Sequence, residues 1–130
     1  MRKLLLVLIL TFTLSARDYP AKVINVIDGD TIEVLIDLGL DTTKKERIRL
    51  LNVRAPETRT KDLEEKAKGL KVKAILSEKI LNKEIILRTD NDKREKYGRL
   101  LGVILLQELN INTWLIKEGH CLEGTAKGQN

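Results

Sequence analysis

The 130-residue chain has only one cysteine, Cys121, and only one histidine, His120. A single cysteine excludes a disulfide within the chain, so an apolar core must hold the fold, and Cys121 is expected to be a packing residue. A single histidine argues against a zinc site built from several histidines and against a nucleophile paired with histidine. His120 is expected on the surface after the last helix.

Proline and glycine are also scarce, with two and eight residues. This leaves no room for a low-complexity linker, and no internal repeat is visible. The 33% of charged and 42% of apolar residues are an ordinary globular balance, neither disordered nor fibrous. We therefore expect one compact domain.

No apolar run is long enough to cross a bilayer. The run at 4–14 has eleven residues, two of them threonines, whereas a spanning helix needs about 20. It follows Arg2 and Lys3 and precedes Ser15-Ala16, which is the zoning of a secretory signal. We expect residues 1–16 to be a signal peptide, 17–130 to be the mature domain, and the protein to be exported. The alternative is a membrane tether formed by an uncleaved N-terminus.

Positive charge is in mild excess. The formal net charge is +5, and it falls to +3 if Arg2 and Lys3 are removed. Such a value permits polyanion binding without requiring it, so the distribution of charge carries more information. Two basic turns, 44–47 and 93–96, have two open readings: contacts to a nucleic-acid backbone, or solvated lysine-rich turns.

Runs rich in β-branched residues predict five strands, at 21–27, 31–38, 47–54, 83–89 and 100–106. The first two form a hairpin around an acidic turn. Alternation gives the third strand two faces, one with Ile48, Leu50 and Asn52 and the other with Arg47, Arg49, Leu51 and Val53.

Helical spacing predicts a long helix at 61–82, capped within Thr58–Thr60. A short helix capped by Asn110 or Asn112 runs through Ile116 and ends at Gly119. The order of elements favours an α+β, mainly β, five-stranded OB-fold barrel with a long helix between strands 3 and 4 and a short C-terminal helix. Other α+β folds remain open on pattern alone. The long helix has a predicted core stripe of Leu63, Ala67, Leu70, Ala74 and Leu81, widened by Ile75 and Ile80.

Asp28 and Asp30 flank Gly29 at the mouth of the predicted hairpin. Hard carboxylate oxygens at such a turn can hold Ca²⁺ beside a phosphate. The same tetrapeptide is also ordinary turn sequence, because Asp and Gly are favoured in turns whatever the function.

Three further side chains are of the types that phosphodiester hydrolysis requires: Arg49, Glu57 and Arg99. The guanidinium fork of arginine matches phosphate geometry, and a carboxylate can orient or deprotonate water. Each also has an ordinary structural interpretation when taken singly. Arg49 can be a solvated strand residue, Glu57 the acid at the start of a helix, and Arg99 a turn residue after glycine.

Three segments in order, 26–31 (VIDGDT), 49–58 (RLLNVRAPET) and 96–102 (KYGRLLG), resemble the signature segments of the staphylococcal (thermo)nuclease family. The resemblance covers about residues 21–120. It implies an OB-fold, Ca²⁺-dependent cleavage of DNA and RNA, and attack by an activated water; we expect a monomer.

The resemblance also implies roles for individual residues. Asp30 matches a Ca²⁺ ligand, Glu57 the general base or water-positioning group, and Arg49 and Arg99 the arginines that engage the scissile phosphate. Tyr97 keeps the tyrosine before Gly-Arg and is a candidate substrate contact, as is Lys96, although Tyr97 is equally an ordinary aromatic at a strand end.

Arg54 departs from the family pattern, which has a second Ca²⁺-ligating aspartate at this position. A cation in place of an anion is expected to weaken metal binding. Three outcomes are open. Asp28 supplies the missing carboxylate, or Arg54 itself supplies positive field to the phosphate, or Arg54 points away and leaves a weak site of Asp30, the Ala55 carbonyl and water.

Two functions follow. The first is an exported nuclease that cleaves DNA, RNA or both with the help of Ca²⁺. The second is a binding module on the same fold that holds nucleic acid or another polyanion without cutting it, because Arg54 has abolished the metal site.

Overall fold

The computed structural model describes residues 15–124, so positions 1–14 of the predicted signal lie outside the described residues. Ala16, the last residue of that predicted segment, begins the first strand and pairs with Asp90. The strands are β1 (Ala16–Asp28), β2 (Thr31–Asp37), β3 (Thr43–Leu50), β4 (Val53–Arg54), β5 (Glu84–Asp90), β6 (Leu100–Leu106), β7 (Leu109–Asn110) and β8 (Leu122–Glu123), and the helices are α1 (Leu63–Ile80) and α2 (Ile111–Lys117).

Five strands close into a barrel, which confirms the predicted OB-fold-like architecture. The order β3-β2-β1-β5-β6 is closed by parallel pairing of β3 with β6, from Ile48↔Leu100 to Leu50↔Gly102. The long strand β1 pairs with both β2 and β5, and two irregularities in its register with β2 let it bend between them. The first strand is therefore much longer than the predicted 21–27.

The interior of the barrel is filled by aliphatic side chains from every main strand and from both helices. The fully buried members include Val23, Ile32, Val34, Ile48, Leu50, Leu76, Ile80, Leu87, Ile104, Ile111 and Leu115. Asn112 is a buried polar residue whose amide group contacts the backbone of Leu51, Gly102 and Ile104. It therefore ties the end of β3 to β6.

The third strand does not run through 47–54 as predicted. β3 begins at Thr43 and ends at Leu50, and Asn52 adopts a left-handed conformation (φ 59°) before β4 begins. The burial of the last three residues of β3 does not alternate, because Ile48, Arg49 and Leu50 are all buried in succession, although the pairing with β2 has no register shift. Here Arg49 makes polar contacts inside the barrel end, which a hydrophobicity pattern does not register.

The predicted core stripe of the long helix is correct only at Ile80, which is fully buried. Leu63 is 79% exposed and Leu70 48% exposed, and Ala67 and Ala74 also face solvent. The buried face consists of Gly69, Val72, Leu76 and Ile80. The helix also begins later than predicted: its N-cap is Asp62, whose side chain accepts hydrogen bonds from the backbone of Glu64 and Glu65, not a residue of Thr58–Thr60.

Close packing explains why a face containing glycine is buried. A Cβ atom on Gly69 would lie 2.7 Å from the carbonyl oxygen of Glu57 and 2.8 Å from that of Pro56. On the opposite side, a Cβ atom on Gly29 would lie 2.5 Å from Cγ1 of Val72. The helix thus presses against both the acidic turn and the segment that carries Glu57, and holds them in place.

The C-terminal helix is close to its prediction. Asn110 caps α2, with its side chain accepting from the backbone N–H of Thr113, and Gly119 follows the helix at φ 75°. Within the part of the chain that the structure describes, neither helix is long and apolar enough to span a membrane.

Candidate phosphate-binding site

The acidic turn between β1 and β2 has two carboxylates with different partners. Asp28 accepts a hydrogen bond from the hydroxyl of Thr58. Asp30 accepts from the hydroxyl of Thr31 at 3.0 Å and from the backbone N–H of Ala55 at 3.3 Å. Both carboxylates are therefore bound to the segment that follows β4, and this brings the first and second signature segments together.

Arg49 extends from β3 into the end of the barrel, where its side chain is only 2% exposed. Its Nη1 donates to the carbonyl oxygens of Leu50 (2.8 Å) and Val53 (2.7 Å), and its Nη2 lies 3.5 Å from Oδ2 of Asp30. Burial lowers the pKa of Arg49 and the Asp30 carboxylate opposes that change, but a guanidinium stays charged in proteins. The result is a fixed cation next to the acidic turn.

Arg99 is held by a buried carboxylate that the sequence reading did not single out. Glu95 accepts from Nε of Arg99 at 3.0 Å, from its Nη2 at 3.2 Å and from its backbone N–H at 2.9 Å. The Arg99 guanidinium and these hydrogen bonds lower the pKa of Glu95 to about 2. Nη1 of Arg99 then reaches the hydroxyl of Thr31 at 3.3 Å, which places Arg99 beside Asp30 and Arg49.

Replacing Glu95 with glutamine is expected to lower the free energy of unfolding by about 2 kcal/mol at pH 7. Because the pKa of Glu95 is lowered in the folded state, its contribution is complete above the ordinary value of 4.5 and is lost as the pH falls toward about 2. The gap between native protein and Glu95→Gln in urea unfolding should therefore close over that interval. A gap that stays constant from pH 7 to pH 2 would show that the charge of Glu95 contributes nothing, and Glu108→Gln, in an exposed turn, is the control.

Asp28, Asp30 and Glu57 line one open pocket of about 300 Å³, together with Ala55, Pro56, Thr58 and Arg59. Glu57 is exposed, and among residues 15–124 its carboxylate has no hydrogen-bond or ion-pair partner. Arg49 and Arg99 do not line this pocket, but Arg49 contacts Asp30, and Arg99 contacts Thr31, whose hydroxyl donates to Asp30. The structure thus brings Asp28, Asp30, Arg49, Glu57 and Arg99 to one end of the barrel.

Arg54 does not line that pocket. It is exposed on β4 and lines the adjoining cavity of about 580 Å³, whose walls include Asp62, Glu64 and Glu65 at the start of α1. Ala55 and Pro56 separate the two spaces and line both. Arg54 thus lies outside the pocket of Asp28 and Asp30, and which of the three outcomes describes the metal site stays a prediction.

Tyr97 and Lys96 are close to Arg99. Tyr97 is 70% exposed, and its ring has the guanidinium carbon of Arg99 at 5.8 Å and the ammonium of Lys96 at 5.9 Å. These distances are within the range of cation–π attraction. The ring is therefore an exposed, positively flanked surface next to the pocket.

The oxygen atoms near Asp30 are of the type that binds Ca²⁺, but they carry little negative charge. Ca²⁺ takes six to eight oxygen ligands, and the carboxylate of Asp30 and the backbone carbonyl of Ala55 are of that type. Asp30 is already partnered by Arg49, and within residues 15–124 no group of three His, Cys, Asp or Glu residues is arranged to hold a metal ion. Oxygen donors of the right kind are therefore present, but the described residues do not form a complete Ca²⁺ site.

Cys121 lies beneath this site in the buried core, with its Sγ 3.9 Å from the carbonyl oxygen of Gly29. Burial raises the pKa of the thiol to about 12. A thiol in this state is not nucleophilic at neutral pH, so the expectation that Cys121 is a packing residue is confirmed.

Comparison with known proteins identifies the family of the chain. Positions 47–128 match the family described as "Staphylococcal nuclease homologue". The chain is 31% identical to the thermonuclease of Staphylococcus hyicus over 81% of its own length and 59% of that protein. It is 34% identical to an uncharacterised protein of Methanocaldococcus jannaschii (78% and 58%) and 30% identical to an uncharacterised endonuclease of Escherichia coli O157:H7 (88% and 67%). The chain thus spans about three fifths of the length of the first two relatives.

Proposed function

The chain belongs to the staphylococcal nuclease homologue family, and from that premise we propose that it hydrolyses the phosphodiester bonds of nucleic acid. One observation carries the proposal. Glu57, whose carboxylate has no partner among residues 15–124, shares a pocket with Asp30, and Asp30 is contacted by Arg49 directly and by Arg99 through the hydroxyl of Thr31. A merely structural surface has no need for that combination.

In the proposed reaction, Arg49 and Arg99 bind the non-bridging oxygens of one phosphate. Their charges are positioned before the substrate arrives, Arg49 by two backbone carbonyls and Arg99 by Glu95. Donors fixed in this way stabilise the extra negative charge of the pentacoordinate transition state without having to reorganise.

Glu57 completes the chemistry by accepting a proton from water. The water oxygen forms a bond to phosphorus as the bond from phosphorus to the leaving oxygen breaks, and solvent protonates the leaving group. Its open position gives the Glu57 carboxylate room for a water molecule and a substrate. A Ca²⁺ ion held by Asp30 and the Ala55 carbonyl would add positive charge at the phosphate.

The remaining parts of the proposal concern substrate and location. DNA, RNA or both are the substrates, the protein acts as a monomer, and it is exported after removal of residues 1–16. The exported location rests on the zoning of the N-terminal segment. The curated relatives are longer than the matched region, so these properties are proposed for this chain and not transferred from them.

The function is tested by incubating the purified chain with single-stranded DNA and with RNA, in millimolar Ca²⁺ and in chelator. Cleavage that is faster with Ca²⁺ supports the proposal. A folded protein that binds both nucleic acids and cleaves neither would instead establish the non-catalytic binding module. The observation that favours this second function is that residues 15–124 contain no group of three His, Cys, Asp or Glu residues that could hold a metal ion.

Replacing Arg54 with aspartate is expected to lower the Ca²⁺ concentration for half-maximal cleavage by about threefold to tenfold. The change removes a cation and adds an anion next to Ala55, and two units of charge across solvent are worth about 1 kcal/mol. A Ca²⁺ titration of cleavage measures the effect. Lys83→Asp, the same change of charge in the turn after α1, should leave the titration unaltered, and equal shifts in both variants would refute a local metal site.

A further inference from the structure

One face of β3 carries a row of cations that leads into the proposed catalytic site. Lys45, Arg47 and Arg49 occupy alternate positions of the strand, and alternate side chains of a strand point to the same face. The register places them opposite Leu35, Glu33 and Thr31 of β2. Arg99 contacts Thr31, so the inner end of the row is the phosphate-binding pair Arg49 and Arg99.

The outer two cations of this row share a single acid. Glu33 lies 3.4 Å from Nζ of Lys45 and 3.6 Å from Nε of Arg47, and these two side chains are 62% and 63% exposed. One carboxylate cannot neutralise both, and exposed pairs at such distances are weak. Lys45 and Arg47, called here the cationic face of β3, therefore have charge available for a ligand.

The neighbouring cations are occupied in a different way. Arg94 makes a two-pronged contact with Glu46, at 2.8 and 3.1 Å, and Lys44 lies 3.0 Å from the same carboxylate. This cluster fastens the loop before β6 to β3. Lys44 is therefore occupied by a structural contact, whereas Lys45 and Arg47, the cationic face of β3, are the cations of the basic turn at 44–47 that a ligand can reach.

A groove of about 360 Å³ joins the cationic face to the site. Its lining includes Lys45, Arg47, Tyr97 and Arg99, together with Glu33 and Glu46, the two acids that pair with cations of this surface. The exposed ring of Tyr97 stands at the end nearer to Arg99. The groove therefore combines a row of cations with an aromatic ring, the combination by which proteins hold single strands through phosphates and stacked bases.

We propose that the cationic face of β3 binds the single-stranded nucleic acid that flanks the bond to be cleaved. Two residues along a strand advance about 6.7 Å, so successive cations of the row can meet successive phosphates of an extended chain. A base of the same strand stacks on Tyr97. The proposal rests on the proposed function only for the direction of the strand, which runs from the groove to Arg49.

The test measures binding of a fluorescent 12-nucleotide single strand in a Glu57→Gln background, so that the probe stays intact. The double variant Lys45→Gln/Arg47→Gln should weaken binding at least tenfold at low salt. It should also reduce the slope of log K against log salt by about 1.4, because each lost phosphate contact on a single strand contributes about 0.7. Lys66→Gln/Lys71→Gln, which removes the same charge from the exposed side of α1, should bind like the parent.

A second variant changes binding in the opposite direction. Glu33→Gln removes the shared acid and should tighten binding severalfold, which keeps the proposal testable if the double variant folds poorly. Unchanged binding in both variants would overturn it. If a duplex probe bound as tightly as the single strand, and the double variant weakened both equally, the assignment to single strands would be overturned.

These outcomes are separate from those of the proposed function. If the native chain cleaves nucleic acid but the variants bind normally, the proposal for the cationic face of β3 is wrong and the proposed nuclease activity is supported. If the native chain binds nucleic acid through this face but does not cleave it, the proposed nuclease activity is wrong and the proposed binding surface is supported.

Discussion

Changing Glu57 to glutamine is expected to slow phosphodiester cleavage by about a thousandfold while the protein stays folded. A positioned general base contributes about 10² to 10⁴ in rate, and glutamine keeps the shape of glutamate but cannot accept a proton. The carboxylate is exposed and unpartnered among the described residues, so its loss should leave the unfolding free energy within about 0.5 kcal/mol. Single-turnover cleavage of a short DNA strand measures the rate.

The matched control for this variant is Glu78→Gln, which makes the same change on the exposed face of α1. It should cleave at the native rate. If Glu57→Gln retained more than a tenth of native activity, Glu57 would not be the base, and another group of the pocket would have to accept the proton.

Changing Arg99 to lysine is expected to lower the cleavage rate by about 10² to 10³, the usual cost of removing one donor from a preorganised site. Lysine keeps the positive charge that Glu95 requires. It has a single ammonium, however, and cannot be held by Glu95 through two nitrogens while a third reaches toward the pocket, as Arg99 does through Nε, Nη1 and Nη2. The loss should appear in the rate at saturating substrate.

Arg88 provides a close control for Arg99. It also grips a carboxylate with two nitrogens, at 2.8 Å each to Asp18, but it lies on the exposed surface of β5 away from the acidic turn. Arg88→Lys should leave cleavage unchanged. Equal effects of the two substitutions would mean that the loss comes from general destabilisation and not from the phosphate site.

Most of the fold is visible in the sequence because strands with one buried face alternate in a readable way. The predicted fifth strand, 100–106, coincides with β6, and the second strand differs from β2 by one residue. The bounds predicted for the long helix lie within two residues of α1 at each end, but of its predicted core residues only Ile80 belongs to the buried face. Glycine adds nothing to a hydrophobicity pattern, whereas Gly69 is buried because its missing side chain lets α1 touch the backbone at Pro56 and Glu57.

The sequence predicts which residues belong to the site better than it predicts how they contact one another. The ordered motifs identified Asp30, Arg49, Glu57 and Arg99, which lie at one end of the barrel, although their catalytic roles stay predictions. Glu95 was missed because a lone acid in a basic turn resembles a solvated residue. Its position four residues before Arg99, across a glycine turn, was the available signal.

The direction of Arg54 could not be read from the sequence. Its side chain belongs to the adjoining cavity because β4 pairs with β8, opposite Leu122, and this pairing depends on residues almost seventy positions away. Alternation within a two-residue strand carries no information about such a contact.

The central claim is that one phosphate binds between Arg49 and Arg99, within reach of Glu57. A crystal structure of the Glu57→Gln variant with an intact short DNA strand tests it most directly. The account predicts a phosphate whose oxygens contact both guanidinium groups, with residue 57 facing the phosphorus across a water molecule. A phosphate bound elsewhere, with Arg49 still occupied only by Asp30 and backbone carbonyls, would contradict it.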